Sequence, residues 1–98
     1  MQVIFSNRAK DRLEHLLEYL VKEWSEKTKD DFIKKLDRSI AQISKLPTSC
    51  PESKKIPGLF KCVVTRQTTL FYRIKDHTIQ VITLFDTRQN PNKLNKEF

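Results

Sequence analysis

A chain of 98 residues, 38% of them hydrophobic and 32% charged, is one domain, large enough to bury a single core without staples and too apolar to be disordered. Its 19 Lys and Arg against 12 Asp and Glu leave a net charge of +7, which favours a polyanion, nucleic acid above all, or an acidic protein as partner. No apolar run nears the roughly 18 residues that cross a bilayer, and the opening MQVIFSNRAK lacks an export pattern, so a cytoplasmic protein without membrane contact is expected.

Residues 2–5 supply a short strand, with Val3, Ile4 and Phe5. Ser6 then offers a hydroxyl acceptor to the first free amides of a helix. Ala9, Leu13, Leu16, Leu17, Leu20, Val21 and Trp24 follow at the three-and-four spacing of one helical face. This helix should run to about Trp24 and bury that ring. Thr28 and Asp31 have the spacing of a capping box, with Asp in place of the usual Glu or Gln. The second stripe, Phe32, Ile33, Leu36, Ile40, Ile43 and Leu46, stops at Pro47, which cannot continue a helix. Two stripes of matching length joined by a short turn read as an antiparallel helical hairpin. Residues 47–51 form a loop, 54–56 a candidate edge strand, and Pro57-Gly58 a turn holding the only glycine of the sequence.

Three β-type runs follow at 60–65, 69–75 and 78–86, with connections too short for a parallel crossover. They should form an antiparallel meander. With Asp76 and His77 as a two-residue turn, Ile74 faces Ile79, Tyr72 faces Val81 and Leu70 faces Thr83, an apolar side that Phe60, Cys62, Val64 and Phe85 can join. The reverse side carries Lys61, Val63 and Thr65, then Thr69, Phe71, Arg73 and Lys75, then Gln80, Ile82, Leu84 and Asp86. One side is made to be covered, and the other is a basic, aromatic-bearing surface suited to a functional site. The expected fold is α+β: an N-terminal strand, then an antiparallel helical hairpin packed on a twisted antiparallel β-sheet of about four strands. One domain spans 1–98, with 87–98 as a polar tail or short terminal turn.

Lys61, Arg73 and Arg88 can converge on the open face or its rim, with Arg66 in the loop beside them. Guanidinium groups grip phosphate through paired hydrogen bonds, so the set suits a nucleic-acid backbone or an acidic peptide, although most Lys and Arg are simply solvated. His15 and His77 lack an evident charged partner, and Tyr19 and Tyr72 fall on packed faces. Cys50 and Cys62 are too few for a closed metal site, and in a reducing compartment two free thiols are expected, with Cys62 pointing into the core. No Gly-rich phosphate loop, HExxH, or Ser, His and Asp set can be assembled. No cofactor or metal is expected, and any catalysis must rest on basic groups.

The order of strand, two helices and antiparallel sheet, with the phrases RAKDRLEHLLEYLVKEW, ISKLPTSCPESKK, LFYRI and ITLFDTRQNP, resembles the RelE/ParE superfamily of toxins from bacterial type II toxin-antitoxin modules. The resemblance covers nearly the whole chain. It implies a growth inhibitor held silent by a cognate antitoxin in a toxin-antitoxin hetero-oligomer. RelE-like members cut messenger RNA on the ribosome with lysines and arginines of the open sheet face, and by that resemblance Lys61 and Arg88 are the candidate catalytic residues. Thr69 stands where those nucleases carry an arginine, and their terminal aromatic acid or base has no clear equivalent unless Phe98, without a hydroxyl, marks its place. ParE-like members, which this chain resembles in its long helical hairpin and LFYRI, poison DNA gyrase by binding. Arg73, Arg88 and the polar tail are then contact residues, joined by Lys61 and Arg66 in the set expected to touch the target or nucleic acid. The expectation is the ParE-like branch. A RelE-like, ribosome-dependent, metal-free ribonuclease is the alternative, and a non-toxic antitoxin-binding regulator is the third.

Overall fold

The computed structural model describes residues 1–89. In chain order it contains β1 (Gln2–Phe5), α1 (Asn7–Glu23), α2 (Glu26–Lys45), β2 (Phe60–Val63), β3 (Thr68–Lys75) and β4 (Thr78–Asp86). The strands form one sheet in the order β1-β4-β3-β2. β2, β3 and β4 are the expected antiparallel meander, whereas β1 joins β4 in parallel. The long excursion through both helices makes that parallel pairing possible.

Ser6 opens α1 by accepting from the Ala9 amide at 3.0 Å, and its hydroxyl donates to Ile82 O at 2.7 Å. One side chain thus caps a helix and ties it to the sheet. The cap of α2 is Ser25, not Thr28. The connection leaves Ser25 in extended backbone (φ −169°, ψ 163°), from which its short hydroxyl reaches the Thr28 amide at 3.0 Å. Trp24 is 59% exposed and not core, because its backbone has already left the helix (φ −123°, ψ −90°) and the ring falls off the stripe.

Leu16 and Leu20 of α1, Phe32 and Leu36 of α2, and Leu70, Tyr72 and Val81 of the sheet belong to one core. Full burial of such a side chain is worth about 1.5–3 kcal/mol, so both helices are needed to keep this face dry. Tyr72 stacks on Phe60 with ring centroids 5.2 Å apart and donates its hydroxyl to Pro47 O at 2.7 Å. Burial, followed by the neighbouring Cys50 thiol, pushes the phenol well above its ordinary range, so Tyr72 remains a donor that pins the loop after α2. The 54–56 segment is not a strand. Only Glu52 pairs, with Phe60, because Pro51, Pro57 and the left-handed Gly58 (φ 80°) break any longer ladder.

Asp76 and His77 adopt φ 52° and 58°, the left-handed pair of a two-residue hairpin turn. Beside that turn the expected register holds, with Ile74 on Ile79 and Tyr72 on Val81. Further along it changes. Leu70 pairs with Leu84 instead of Thr83, and Phe71 pairs with Thr83, leaving Ile82 as the extra residue of a bulge. A single extra residue sends every later side chain to the opposite face. Leu84 and Asp86 therefore lie on the helix side, each only 3% exposed, while Phe85, expected among the core residues, faces the other way opposite Thr69. The Ser6 hydroxyl, 76 residues distant in sequence, satisfies the bulge carbonyl.

Candidate functional site

The side of the sheet away from the helices is a surface of two characters. At its centre Phe71 and Thr83 face each other and are 4% and 0% exposed, so this part is closed. Toward the β2 edge it is open. Lys61 pairs with Phe71, which makes Arg73, two residues on and on the same face, its diagonal neighbour at roughly 7 Å between Cβ atoms. Both side chains are exposed, beside Val63 at 70% exposure. Arg66 lies in the β2–β3 connection and is exposed as well. The Thr65 hydroxyl holds that connection by accepting from the Gln67 and Thr68 amides at 3.2 and 3.0 Å. Among the described residues, Lys61, Arg66 and Arg73 make no ion pair.

Arg88 is not part of this group. Its Nε and Nη2 donate to the two oxygens of Asp86 at 3.0 and 2.7 Å, and its amide donates to Oδ1 at 2.9 Å. The Thr68 hydroxyl supplies a fourth bond to the same carboxylate, at 2.5 Å. The guanidinium sits 5.9 Å from the centroid of the Trp24 ring, and the Tyr19 hydroxyl donates to Arg88 O at 3.4 Å. Arg88 is thus directed at the end of α1, because the bulge has turned Asp86 to the helix side and Arg88 follows its counter-ion. Asp86 lies at the Thr68 end of β3, five residues from Arg73, which is roughly 17 Å of strand. The expected convergence of Arg88 with Lys61 and Arg73 does not occur. Burial alone would raise the Asp86 carboxyl, but the bonds from Arg88 and Thr68 outweigh it and hold the group below its ordinary range. The same bond, against some desolvation, holds Arg88 above its ordinary value.

The partners of Arg88 were invisible as such in the sequence. The one available signal was the Asp86-Thr87-Arg88 spacing, which lets a carboxylate reach the amide two residues on as a turn forms. The sequence pattern also missed a second feature: an open depression of about 470 Å³ between the helices, lined by Leu17, Val21, Glu18, Lys22 and Lys29. Leu17 and Val21 lie one turn apart on the same side of α1, and Val21 and the following C-cap residue Trp24 are 37% and 59% exposed. Lys29 is held there by Glu26 at 2.9 Å.

Among the described residues, no group of three or more His, Cys, Asp or Glu is placed to hold a metal, and no helix is long and apolar enough to cross a membrane. Residues 90–98 of the tail, with the Phe98 position, lie outside the described residues. Among the described residues the open face offers cations and apolar area. It can bind an anionic or mixed surface, and among the described residues its cations are Lys61, Arg66, Arg73 and Lys75.

The model of one protein family, the ParE toxin of the type II toxin-antitoxin system parDE, matches residues 3–91. The chain belongs to the ParE toxin family. Curated protein sequences give no significant match. Among solved structures, this ParE-family toxin is similar to a chain of the chromosomal ParDE system from P. aeruginosa, at TM-score 0.74 and 12% identity, covering 88% of this chain and 95% of that one. A YoeB/ParE toxin from Agrobacterium tumefaciens matches at TM-score 0.65 and 14% identity, covering 88% and 98%. The toxin-antitoxin complex RelBE2 from Mycobacterium tuberculosis supplies a chain at TM-score 0.54 and 18% identity, covering 87% and 95%. At these identities the likeness is one of fold, the α+β arrangement of RelE/ParE toxins.

Proposed function

We propose that this ParE-family toxin inhibits growth by binding and poisoning DNA gyrase, without a chemical step of its own, through Lys61, Arg66 and Arg73 on the open face. The observation that carries the reading is the engagement of Arg88. Its guanidinium is 16% exposed and bound edge-on to a fully buried Asp86, so contact with a phosphate would require breaking a bidentate ion pair. A ribonuclease built on Lys61 and Arg88 would also lack the cation replaced by Thr69, and loss of one preorganised donor commonly reduces rate a hundredfold or more.

Neutralisation rests on a cognate antitoxin, the kind of partner present in the structurally similar RelBE2 complex. We place its docking segment along the Leu17, Val21 and Trp24 side of α1. An exposed Trp against an Arg has the composition of a binding hot spot, and Leu17 and Val21, one helical turn apart, suit an apolar helix or extended segment lying across them.

Inducible expression in a bacterium, with and without the neighbouring reading frame, tests both statements. Growth arrest with cleaved DNA complexes and continuing translation is expected, relieved by the neighbour. Rapid loss of protein synthesis with cuts in translated messages would replace gyrase by the ribosome, and normal growth at good soluble expression would remove the toxin reading. Val21→Glu should escape neutralisation while remaining toxic.

A further inference from the structure

The bridge between Glu52 and Phe60 is flanked by two backbone hydrogen bonds, Lys61 N to Pro51 O at 2.8 Å and Ser53 N to Leu59 O at 2.6 Å. Together they fix an antiparallel register in which residue 51 faces 61 and 53 faces 59. Extended one step further, that register would set Cys50, in the bend just before the bridge, opposite Cys62. That pair falls at a position without backbone hydrogen bonds, where facing Cα atoms stand roughly 4.5 Å apart, inside the about 4.4–6.8 Å that disulfides span. Both cysteines are free, both belong to the same core cluster, and their exposures are 8% and 4%. Cys50 and Ser39 are both neighbours of the Cys62 thiol.

We propose that Cys50 and Cys62 are a cross-strand dithiol that a small disulfide oxidant, oxidised glutathione being the simplest, converts to an intrachain disulfide that fastens the 51–61 loop to the edge of the sheet. The Cys50 thiolate, on the loop, attacks one sulfur of the oxidant and expels a glutathione thiolate. Cys62 then attacks the Cys50 sulfur and expels the second glutathione. One S–S bond is broken and one formed, two electrons pass to the oxidant, and the two thiol protons leave with the glutathione thiolates. Burial first, and the Cys50 neighbour second, push the Cys62 thiol up to about 12, so exchange is slow while the loop is closed and follows its opening. The loop carries exposed Lys54 and Lys55, and its far end leads into Lys61. Oxidation thereby stiffens the approach to the open cationic face. The proposal is independent of the toxin's target.

Purified full-length protein incubated across a series of oxidised to reduced glutathione ratios, alkylated and weighed intact, tests it. The expected product is a monomer that has lost two hydrogens and resists alkylation, with the Cys50 and Cys62 peptides linked after proteolysis and a melting midpoint raised by on the order of 10 °C. Stable glutathione adducts on both cysteines, covalent dimers, or two alkylatable thiols at the most oxidising ratio would each overturn the pairing. An unchanged midpoint in the bridged form would overturn the bracing. Cys62→Ser serves as the internal control: with Cys50 its only thiol it can lose no hydrogens to an intrachain bridge, and a midpoint that rises as much in this variant under the same oxidant would overturn the bracing.

Discussion

Two cationic regions of this toxin look alike in sequence and differ in physics. On the open face Lys61 and Arg73 are exposed and, among the described residues, without an ion pair, so they contribute little to folding and are open to a partner. At the end of β4 Arg88 is drawn between Asp86 and Trp24, where its charge is spent on holding the last turn of the sheet to the end of α1. The lesson is that a basic residue near a functional surface is available for binding only if no buried counter-ion claims it.

The contrast can be broken most forcefully at the ion pair. Arg88→Ala leaves the Asp86 carboxylate buried and unpaired, and should cost about 3–5 kcal/mol, read as a fall in melting midpoint of more than about 10 °C. A fall of a degree or two would mean that Arg88 is as loosely held as Lys61. The same variant should also reverse a pH dependence. In the intact protein the lowered Asp86 means that the unfolded chain takes up the proton first, so the pair stabilises the fold above the ordinary Asp value near pH 4 and that contribution fades as pH falls through the lowered folded value. Without Arg88, desolvation dominates and raises the carboxyl, so the variant should gain stability as pH falls through the raised value. Thermal melts of both proteins between pH 3 and pH 7, roughly the span over which carboxylates titrate, read the opposite slopes.

Next in size is Ser6→Ala, which removes the α1 cap and the partner of the bulge carbonyl together. A loss of about 2 kcal/mol in denaturant melts is expected, and a loss of a few tenths would show that the bulge does not depend on Ser6. Trp24→Ala should cost about 0.5–1 kcal/mol through the lost cation–π contact and weaken antitoxin capture in a pull-down. The smallest stability effect belongs to the open face. Lys61→Ala combined with Arg73→Ala should move stability by no more than about 0.5 kcal/mol while toxicity on induction disappears. Retained toxicity in that double variant would move the target-binding surface elsewhere.

Much of this was legible from the chain alone because the signals are local. The spacing of Leu13, Leu16, Leu17 and Leu20 selects a helix without help from distant residues, Ser6 is a cap by its own chemistry, and Asp76-His77 is a turn because two hydrophobic runs of period two meet there. Those same periods place Lys61 and Arg73 on one side of the sheet. Phe85, Leu84 and Asp86 were assigned to the wrong faces because alternation carries no mark of where a strand skips a residue, and Trp24 because a stripe does not announce that the backbone leaves the helix one residue early. Arg88 inherited the error from Asp86.

By itself, then, the sequence determined the elements, their order, the helical hairpin and the apolar and basic sides of the meander, since each depends on residues a few positions apart. Only the tertiary structure decided the parallel partner of β1, the bulge at Ile82 and, through it, the side on which Asp86 and Arg88 lie. The physical reason is distance along the chain: a bulge is stable only where its freed carbonyl finds a donor, and here that donor is Ser6, brought to Ile82 by the packing of α1 over β4.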